Sequence, residues 1–131
     1  MIGGVVHLSY KKLSGDFESL FVVEEVESAL DQLAVEDLDK ILYELKFFDA
    51  YGTHTQFYKV DFLKGKDEYK DIFEIKVKLS SKREYRLLAT KCSKKKSPAD
   101  YLLLHAFFKK DKKITDKDKE LARNRKIREG L

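Results

Sequence analysis

The sequence predicts an α+β fold in which an N-terminal strand and a helical hairpin pack on a curved antiparallel sheet of three to five strands, followed by a basic C-terminal helix. Two observations predict it. Helical periodicity dominates the first half of the chain, whereas strand alternation dominates three consecutive segments of the second half. A length of 131 residues without an internal linker indicates one domain, residues 1–131. Within it, residues 1–22 are the hardest part to assign.

The N-terminal quarter begins with a short predicted strand over residues 5–10. The apolar run at residues 21–23 fits either a second strand or the first turn of a helix, and we favour the helix. From Val23, apolar residues recur at Val26, Leu30 and Leu33, which is helical spacing, and three glutamates in the first turn complement the helix dipole. A first helix is therefore expected from Val23.

A second helix follows after a break near Ala34. Its apolar stripe is clear and ends at Tyr51-Gly52, where the glycine is a suitable C-terminal stop. The stripe consists of Leu38, Ile41, Leu42, Leu45 and Phe48. Because the connection between the two helices is very short, they should form an antiparallel hairpin with acidic outward surfaces.

Three strands are predicted in the second half, and residues 57–63 could add an edge strand before them. Residues 73–79 alternate strictly, with apolar side chains on one face and Glu74, Lys76 and Lys78 on the other. Residues 84–92 form the next strand. Residues 101–109 are the most apolar segment and should be central.

The C-terminal helix is predicted over residues 115–128, with Thr115 as its N-cap. Only Leu121, Ala122 and Ile127 could anchor it, so apolar contacts should hold it weakly. It should present a second basic surface formed by Arg123, Arg125, Lys126 and Arg128.

Charge is divided between the two halves of the chain. Residues 1–75 contain 8 Lys and Arg against 16 Asp and Glu, a formal charge of −8, and residues 76–131 contain 19 against 7, a charge of +12. The total of +4 is therefore a cancellation. A polyanion such as RNA should bind the second half.

Several other classes of site are disfavoured. The single cysteine, Cys92, lies among lysines in an apolar segment and is interpreted as a structural thiol, with a nucleophile as the alternative. No Cys or His spacing suggests a metal site, and no cofactor is expected. No signal peptide or membrane span is expected, which favours the cytoplasm. Nucleotide-binding glycine motifs and the common hydrolase motifs do not occur in the sequence.

The basic side chains of the three strands could carry chemistry. On adjacent strands, Lys76, Lys78, Arg86, Lys109 and Lys110 would converge, and His105 shares the alternation of Lys109. Such cations could hold a phosphodiester and stabilise its transition state during metal-independent RNA cleavage.

Cleavage also needs groups that move protons. Arg86 can only stabilise charge, a lysine crowded by like charges could act as acid or base through a lowered pKa, and His105 is the alternative. Glu74 could orient a partner or act as the base. The other interpretation is a solvated sheet face with a core histidine, in which Glu74 is simply an ion-pair partner.

The order of these motifs resembles the RelE/HigB superfamily of toxins, and the phage-derived HigB-like branch most closely. The resemblance is carried by Leu63-Lys64-Gly65, then FEIKVK, then Tyr85-Arg86 followed by LLAT, and LLLHAFFKKDKKIT before a charged helix. It covers about residues 23–128. Ala106 stands where the family usually has glycine, and Glu74 stands where some members have a basic residue.

The resemblance implies a helical hairpin on a curved antiparallel sheet and a ribosome-dependent mRNA endoribonuclease that inhibits translation. It also implies a helix-turn-helix antitoxin as partner, with the ribosome and mRNA as the other contacts. The implied catalytic residues are Arg86, Lys76, Lys109 and His105, and the implied RNA or phosphate ligands are Lys78, Lys110, Lys112, Lys113 and Lys64, with Glu74 orienting. The alternative function is a non-catalytic phage or mobile-element protein that binds nucleic acid or a host protein through its basic face.

Overall fold

The computed structural model describes residues 10–52, 60–93, 99–110 and 112–131. These residues form six β-strands and three α-helices. In chain order, the elements are β1 (Tyr10–Lys12), β2 (Leu20–Val23), α1 (Glu24–Asp31), α2 (Val35–Tyr51), β3 (Val60–Phe62), β4 (Ile72–Lys78), β5 (Glu84–Lys91), β6 (Tyr101–Phe108) and α3 (Asp116–Arg128).

All six strands belong to one open, curved sheet in the order β1-β2-β6-β5-β4-β3. Every neighbouring pair is antiparallel except β2 and β6, which are parallel. The α+β class is thus confirmed, and β6 is central as expected, beside β5. The prediction of an entirely antiparallel sheet with three to five strands was wrong, because the N-terminal segment adds two strands beyond β6.

The strand β2 corrects the assignment of the apolar run at residues 21–23. Val23 has extended backbone angles, φ −77° and ψ 159°, and the helix begins only at Glu24. In the parallel pair, Leu20 lies opposite Tyr101 and Val22 lies opposite Leu103. Tertiary pairing with β6 therefore decides the conformation of a segment that local pattern left ambiguous.

Two predicted strands extend beyond the described residues. Of the strand expected over residues 5–10, residues 5–9 lie outside them, and β1 begins at Tyr10. Of the edge strand expected over residues 57–63, residues 57–59 lie outside them, and β3 is the edge strand that pairs with β4.

The helix α2 packs on one face of the sheet. Phe48 is fully buried, and its ring lies 5.3 Å from that of Phe73 and 4.8 Å from that of Tyr101. The helix ends at Gly52, which has φ 60°. A Cβ atom at Gly52 would lie 3.0 Å from the Tyr101 hydroxyl oxygen, so both the backbone angle and the close approach require glycine there.

The helix α3 covers the opposite face, which we call the α3 face. It begins with the predicted N-cap, since the Thr115 hydroxyl accepts a hydrogen bond from the Asp118 amide. Ala122 is its only buried residue, which confirms the weak apolar anchoring. Polar contacts hold it instead, including Lys66 to Glu120 at 2.7 Å and Arg128 Nη2 to Glu25 at 2.9 Å.

These contacts also correct the expected second basic surface on α3. Arg123 pairs with Glu120, and both Arg125 and Arg128 pair with Glu25. Because these three guanidinium groups are neutralised within the molecule, the helix does not present a continuous basic surface to a partner.

We expect Gly52→Ala to lower the free energy of unfolding by about 1–3 kcal/mol. The new Cβ atom would crowd the Tyr101 hydroxyl, and alanine would also have to adopt a positive φ. Gly130→Ala is the matched control, since Gly130 has φ 78° but open space around its Cα. Urea denaturation measures both. An equal loss in the two variants would contradict the contribution of the Tyr101 contact.

Candidate nucleic-acid interface

Two rows of side chains cross β4, β5 and β6 on the α3 face. Residues opposite each other in a register point to the same side of the sheet. The first row is Lys76, Arg86 and Phe107, and the second is Glu74, Leu88 and His105. Adjacent strands therefore bring together Lys76, Glu74, Arg86 and His105, as the alternation predicted.

Arg86 lies beneath this surface rather than on it. Its side chain is 4% exposed, and its guanidinium contacts two carboxylates, Glu84 at 2.9 Å from Nη2 and Glu74 at 3.3 Å from Nε. Nη1 donates to the Tyr85 carbonyl at 3.3 Å. The guanidinium also lowers the pKa of Glu84, chiefly through the hydrogen bond. Arg86 is thus the buried centre of a charge cluster.

Glu74 lies between Arg86 and Lys76. Its side chain is 9% exposed, and its Oε1 is 3.7 Å from Lys76 Nζ. Among the described residues, neither Glu74 Oε2 nor Arg86 Nε has a partner in hydrogen-bonding geometry, although the two atoms are only 3.3 Å apart. The pair is therefore an ion contact with poor hydrogen-bond alignment, which leaves a buried carboxylate oxygen incompletely satisfied.

Lys76 has a partner that the sequence did not reveal. Its ammonium lies 2.6 Å from Asp61 on the edge strand β3. The hydrogen bond to Asp61 is the main cause that raises the pKa of Lys76 above its usual value. The suggestion that crowding by like charges would lower the pKa was therefore wrong for Lys76, which is held as a cation.

His105 is buried and has a partner on each ring nitrogen. Nε2 lies 2.8 Å from Asp118 Oδ1, and Nδ1 lies 3.3 Å from Arg125 Nη1. Since an arginine can only donate, Nδ1 must accept, and the proton is on Nε2, which donates to Asp118. The ring also stacks on Phe107 at 4.6 Å. Burial is the main cause that lowers the pKa of His105 below 6.5, and Arg125 acts in the same direction.

A groove of about 840 Å³ opens above these rows, between the sheet, the edge strand and the start of α3. Six lysines and three carboxylates line it, so its charge is positive. The charged residues are Lys64, Lys76, Lys109, Lys112, Lys113, Lys119, Asp61, Glu74 and Asp116. Phe62, Leu63 and Ile114 complete its lining. We call this site the lysine groove.

The lysine groove brings together six of the residues expected at a site, and it adds others. Lys64, Glu74, Lys76, Lys109, Lys112 and Lys113 were expected, whereas Lys119, Asp61 and Asp116 were not. Arg86 and His105 lie outside its lining. Lys119 donates to the Lys64 carbonyl at 3.0 Å across the groove edge, a contact between distant segments that no local pattern signals.

The remaining predicted ligands lie beside the groove. Lys110 lines a neighbouring depression of about 390 Å³ together with Lys109, Arg83 and Phe108. Lys78 is exposed at the end of β4, opposite Glu84. Lys109 contributes to both depressions and so connects them.

Two further observations concern the described residues alone. They contain no group of three or more His, Cys, Asp or Glu side chains placed to hold a metal ion. None of the helices they form combines the length and the apolar character needed to cross a membrane.

Cys92 is half-buried, and burial raises the pKa of its thiol to about 11, in agreement with a structural thiol.

A comparison with protein families shows to which family the chain belongs. The model described as "Phage derived protein Gp49-like (DUF891)" matches residues 28–126. The chain belongs to this Gp49-like family. Gp49-like proteins are RelE/HigB-like toxins associated with toxin-antitoxin systems, which confirms the resemblance at that level and implies an antitoxin partner. No match was found among curated proteins or solved structures.

In this Gp49-like chain, the lowered pKa of His105 predicts how stability changes with pH and how two substitutions shift that pKa. Because the folded-state pKa of His105 lies below 6.5, its contribution to stability is fully present above pH 6.5. It is lost as the pH falls from 6.5 through the folded-state pKa. We expect Arg125→Gln to raise the pKa of His105, since it removes a nearby cation, and Asp118→Asn to lower it further.

NMR titration of the imidazole, assigned with a His105→Gln variant, measures both shifts. Lys126→Gln is the control, because it removes a cation from the same helix but leaves the contact of Arg125 with His105 Nδ1 in place. A pKa of His105 that falls in Arg125→Gln would contradict the accepting role of Nδ1.

Proposed function

We propose that this Gp49-like chain is the toxin of a type II toxin-antitoxin pair and acts in the cytoplasm as a ribosome-dependent, metal-independent mRNA endoribonuclease that inhibits translation. Its partner is a helix-turn-helix antitoxin. The observation that supports this proposal best is the lysine groove, whose lining combines Lys76, Lys109, Lys112 and Lys113 with a nearly buried carboxylate, Glu74.

The lysines suit the binding of a single RNA strand. Among the described residues, Lys109, Lys112 and Lys113 form no ion pair within the molecule, so their charges are available to phosphates. Several ammonium groups around one phosphodiester would neutralise the charge that accumulates on its non-bridging oxygens in the transition state. Lys76 adds a cation that Asp61 holds in place.

Glu74 is the best candidate for the base that takes the 2′-hydroxyl proton. It lies in the groove lining, where its Oε1 is 3.7 Å from Lys76 Nζ, and a carboxylate oxygen in that position can accept a proton. Arg86 lies directly behind it and would stabilise the carboxylate rather than touch the RNA. In this assignment Glu74 has a catalytic role, and Arg86 is a positioning residue.

His105 is less suited to that role. Its Nδ1 lone pair faces Arg125, and its Nε2 proton is donated to Asp118. Both nitrogens are occupied by contacts with α3, so we assign His105 to holding this helix against the sheet. Lys109 is the candidate acid for the leaving 5′-oxygen, because it lines the groove and forms no ion pair among the described residues.

An antitoxin would inhibit such a site by covering it with acidic groups. The positive groove and a negative partner would associate quickly, and the association rate would fall as salt is added. Lys78 and Lys110, which lie beside the groove, would extend the contact surface for either the antitoxin or the RNA.

One observation favours the alternative, a non-catalytic protein that binds nucleic acid or a host protein through the same face. Arg86 is enclosed by two carboxylates and Lys76 is held by a third, so two of the expected catalytic cations already have partners. A surface of lysines around such a closed cluster could bind a polyanion without cleaving it.

Cleavage of mRNA in a purified ribosome system separates the two functions. We expect Glu74→Gln to reduce the cleavage rate at least tenfold while RNA affinity stays equal or increases, because the substitution removes a base and a negative charge but keeps the shape. Equal cleavage by Glu74→Gln and the unmodified protein would contradict the assignment of the base. Binding without any cleavage by the unmodified protein would favour the alternative function.

We expect Lys112→Ala to weaken RNA binding and to reduce the slope of log affinity against log salt by about 0.7, the value for one lost phosphate contact on a single strand. Lys12→Ala is the matched control, because Lys12 is also exposed but lies on β1, at the opposite edge of the sheet. An equal change of slope in both variants would indicate that only net charge matters.

Arg86→Ala is a less informative variant. Removing one member of a buried ion pair typically costs about 3–5 kcal/mol, because the other charge stays buried without compensation. A loss of activity in this variant could therefore result from unfolding rather than from a missing catalytic group.

A further inference from the structure

A second depression adjoins the lysine groove at the opposite end of the strands from Lys109. It has a volume of about 450 Å³ and lies where β3 and β5 end and where β4 and β6 begin. Phe62, Phe73 and Tyr101 give it aromatic walls, Asp71, Thr90 and Ser93 bring polar groups, and Lys91 and Lys126 add two cations. We call it the aromatic pocket.

Phe62 is the exposed member of the aromatic walls. Its side chain is 52% exposed, although it is a large apolar group on an edge strand. The ring lies 5.6 Å from that of Phe73, which in turn lies 5.5 Å from Tyr101 and 5.3 Å from Phe48. Because Phe73 is buried in the core, Phe62 rests on a rigid support and can offer a ring face to a ligand without rearrangement.

The aromatic pocket and the lysine groove share this residue. Phe62 lines both sites, so a ligand that follows the groove passes over its ring. Along β4, Phe73 in the pocket and Lys76 in the groove are three residues apart, about 10 Å at the usual strand rise, and they point to opposite faces of the sheet, so a ligand reaches from one site to the other around the β3 edge at Phe62. A short stretch of single-stranded RNA can span that separation.

We propose that the aromatic pocket binds an unpaired nucleobase of the RNA strand whose phosphates lie in the lysine groove, with Phe62 as the stacking platform. This inference rests on the proposed function and deepens it, because it adds a base-binding subsite to a site otherwise described only by its phosphate contacts. An unpaired base needs an aromatic face for stacking and polar groups at its edge, and the pocket provides both.

The charges around the pocket support a nucleotide in preference to an apolar peptide segment. Lys91 and Lys126 lie in its lining, where they can meet the phosphates on either side of the bound base. Among the described residues, neither lysine forms an ion pair within the molecule. Against the carboxylate of Asp71 in the same lining, the two lysines leave a net positive charge around the aromatic centre.

The experiment measures the affinity of a fluorescein-labelled single-stranded RNA oligonucleotide by anisotropy at low salt. We expect Phe62→Ala to weaken binding about tenfold, the usual order of magnitude for one base-aromatic stack. Phe62→Leu should also weaken binding, although it keeps an apolar side chain on β3 and protects the fold. Tyr43→Ala is the matched control, because Tyr43 is 60% exposed but lies on α2, away from both sites, and its removal should leave the affinity unchanged.

A second measurement varies the RNA. An oligonucleotide with one abasic position, moved along the strand, should lose affinity at one position for the unmodified protein and at none for Phe62→Ala. If Phe62→Ala and Phe62→Leu, shown by urea denaturation to be folded, bind the intact RNA as tightly as Tyr43→Ala does, the inference is overturned. The absence of any binding by the unmodified protein would overturn it as well.

Cleavage of mRNA on ribosomes, measured for the same variants, tests the proposed function separately. Cleavage by the unmodified protein, together with RNA binding that does not depend on Phe62, would overturn only the present inference. RNA binding that depends on Phe62 without cleavage would support it and contradict the endoribonuclease.

Discussion

The burial of one arginine constrains most of the α3 face. Arg86 is 4% exposed, and a guanidinium can be buried to that extent only if carboxylates compensate its charge. Glu74 comes from β4, and Glu84 from the start of β5 itself. A shift of one residue in the β4-β5 register would move Arg86 to the face on which α2 packs, among Phe73 and other core residues. The ion cluster and the hydrophobic core therefore fix the same register.

The cluster is not optimised for stability. Glu74 Oε2 and Arg86 Nε are buried without a hydrogen-bond partner among the described residues, and such groups typically cost about 1–3 kcal/mol each. An apolar pair of similar volume could fill the same space without that cost. The charged arrangement is therefore more easily explained by chemistry at the groove than by folding, since it keeps a carboxylate in the groove lining, where the proposed base is needed.

The sequence predicted the elements whose pattern is local. Strict alternation identified β4, the hydroxyl of Thr115 identified the start of α3, and Gly52 marked the end of α2. It failed for β2, because a four-residue apolar run directly before a helix has no period of its own, and its conformation is decided by pairing with β6 more than 75 residues away.

For the site, the sequence predicted which side chains share a face of the sheet, but not their burial or their partners. Strand alternation correctly brought Lys76, Arg86 and His105 to one face, but it could not show how deeply α3 and the carboxylates cover them. Burial of His105 depends on Asp118 and Arg125 from the helix, and the state of Lys76 depends on Asp61 from the edge strand. Each of these partners comes from another element, so a pattern read along one strand does not contain it.

The division of charge along the sequence becomes a pattern of pairing in the fold. Carboxylates of the acidic first half pair with cations of the basic second half, for example Glu25 with Arg128, Asp37 with Arg83, Asp61 with Lys76, Glu74 with Arg86 and Glu68 with Arg123. In the described residues, the cations left without such partners include Lys109, Lys110, Lys112 and Lys113, which line the lysine groove or the depression beside it. The formal excess of the second half is therefore not spread evenly over the surface. The pairs consume charge elsewhere, and the unpaired lysines of the groove leave a positive potential where a phosphate chain can reach several ammonium groups at once.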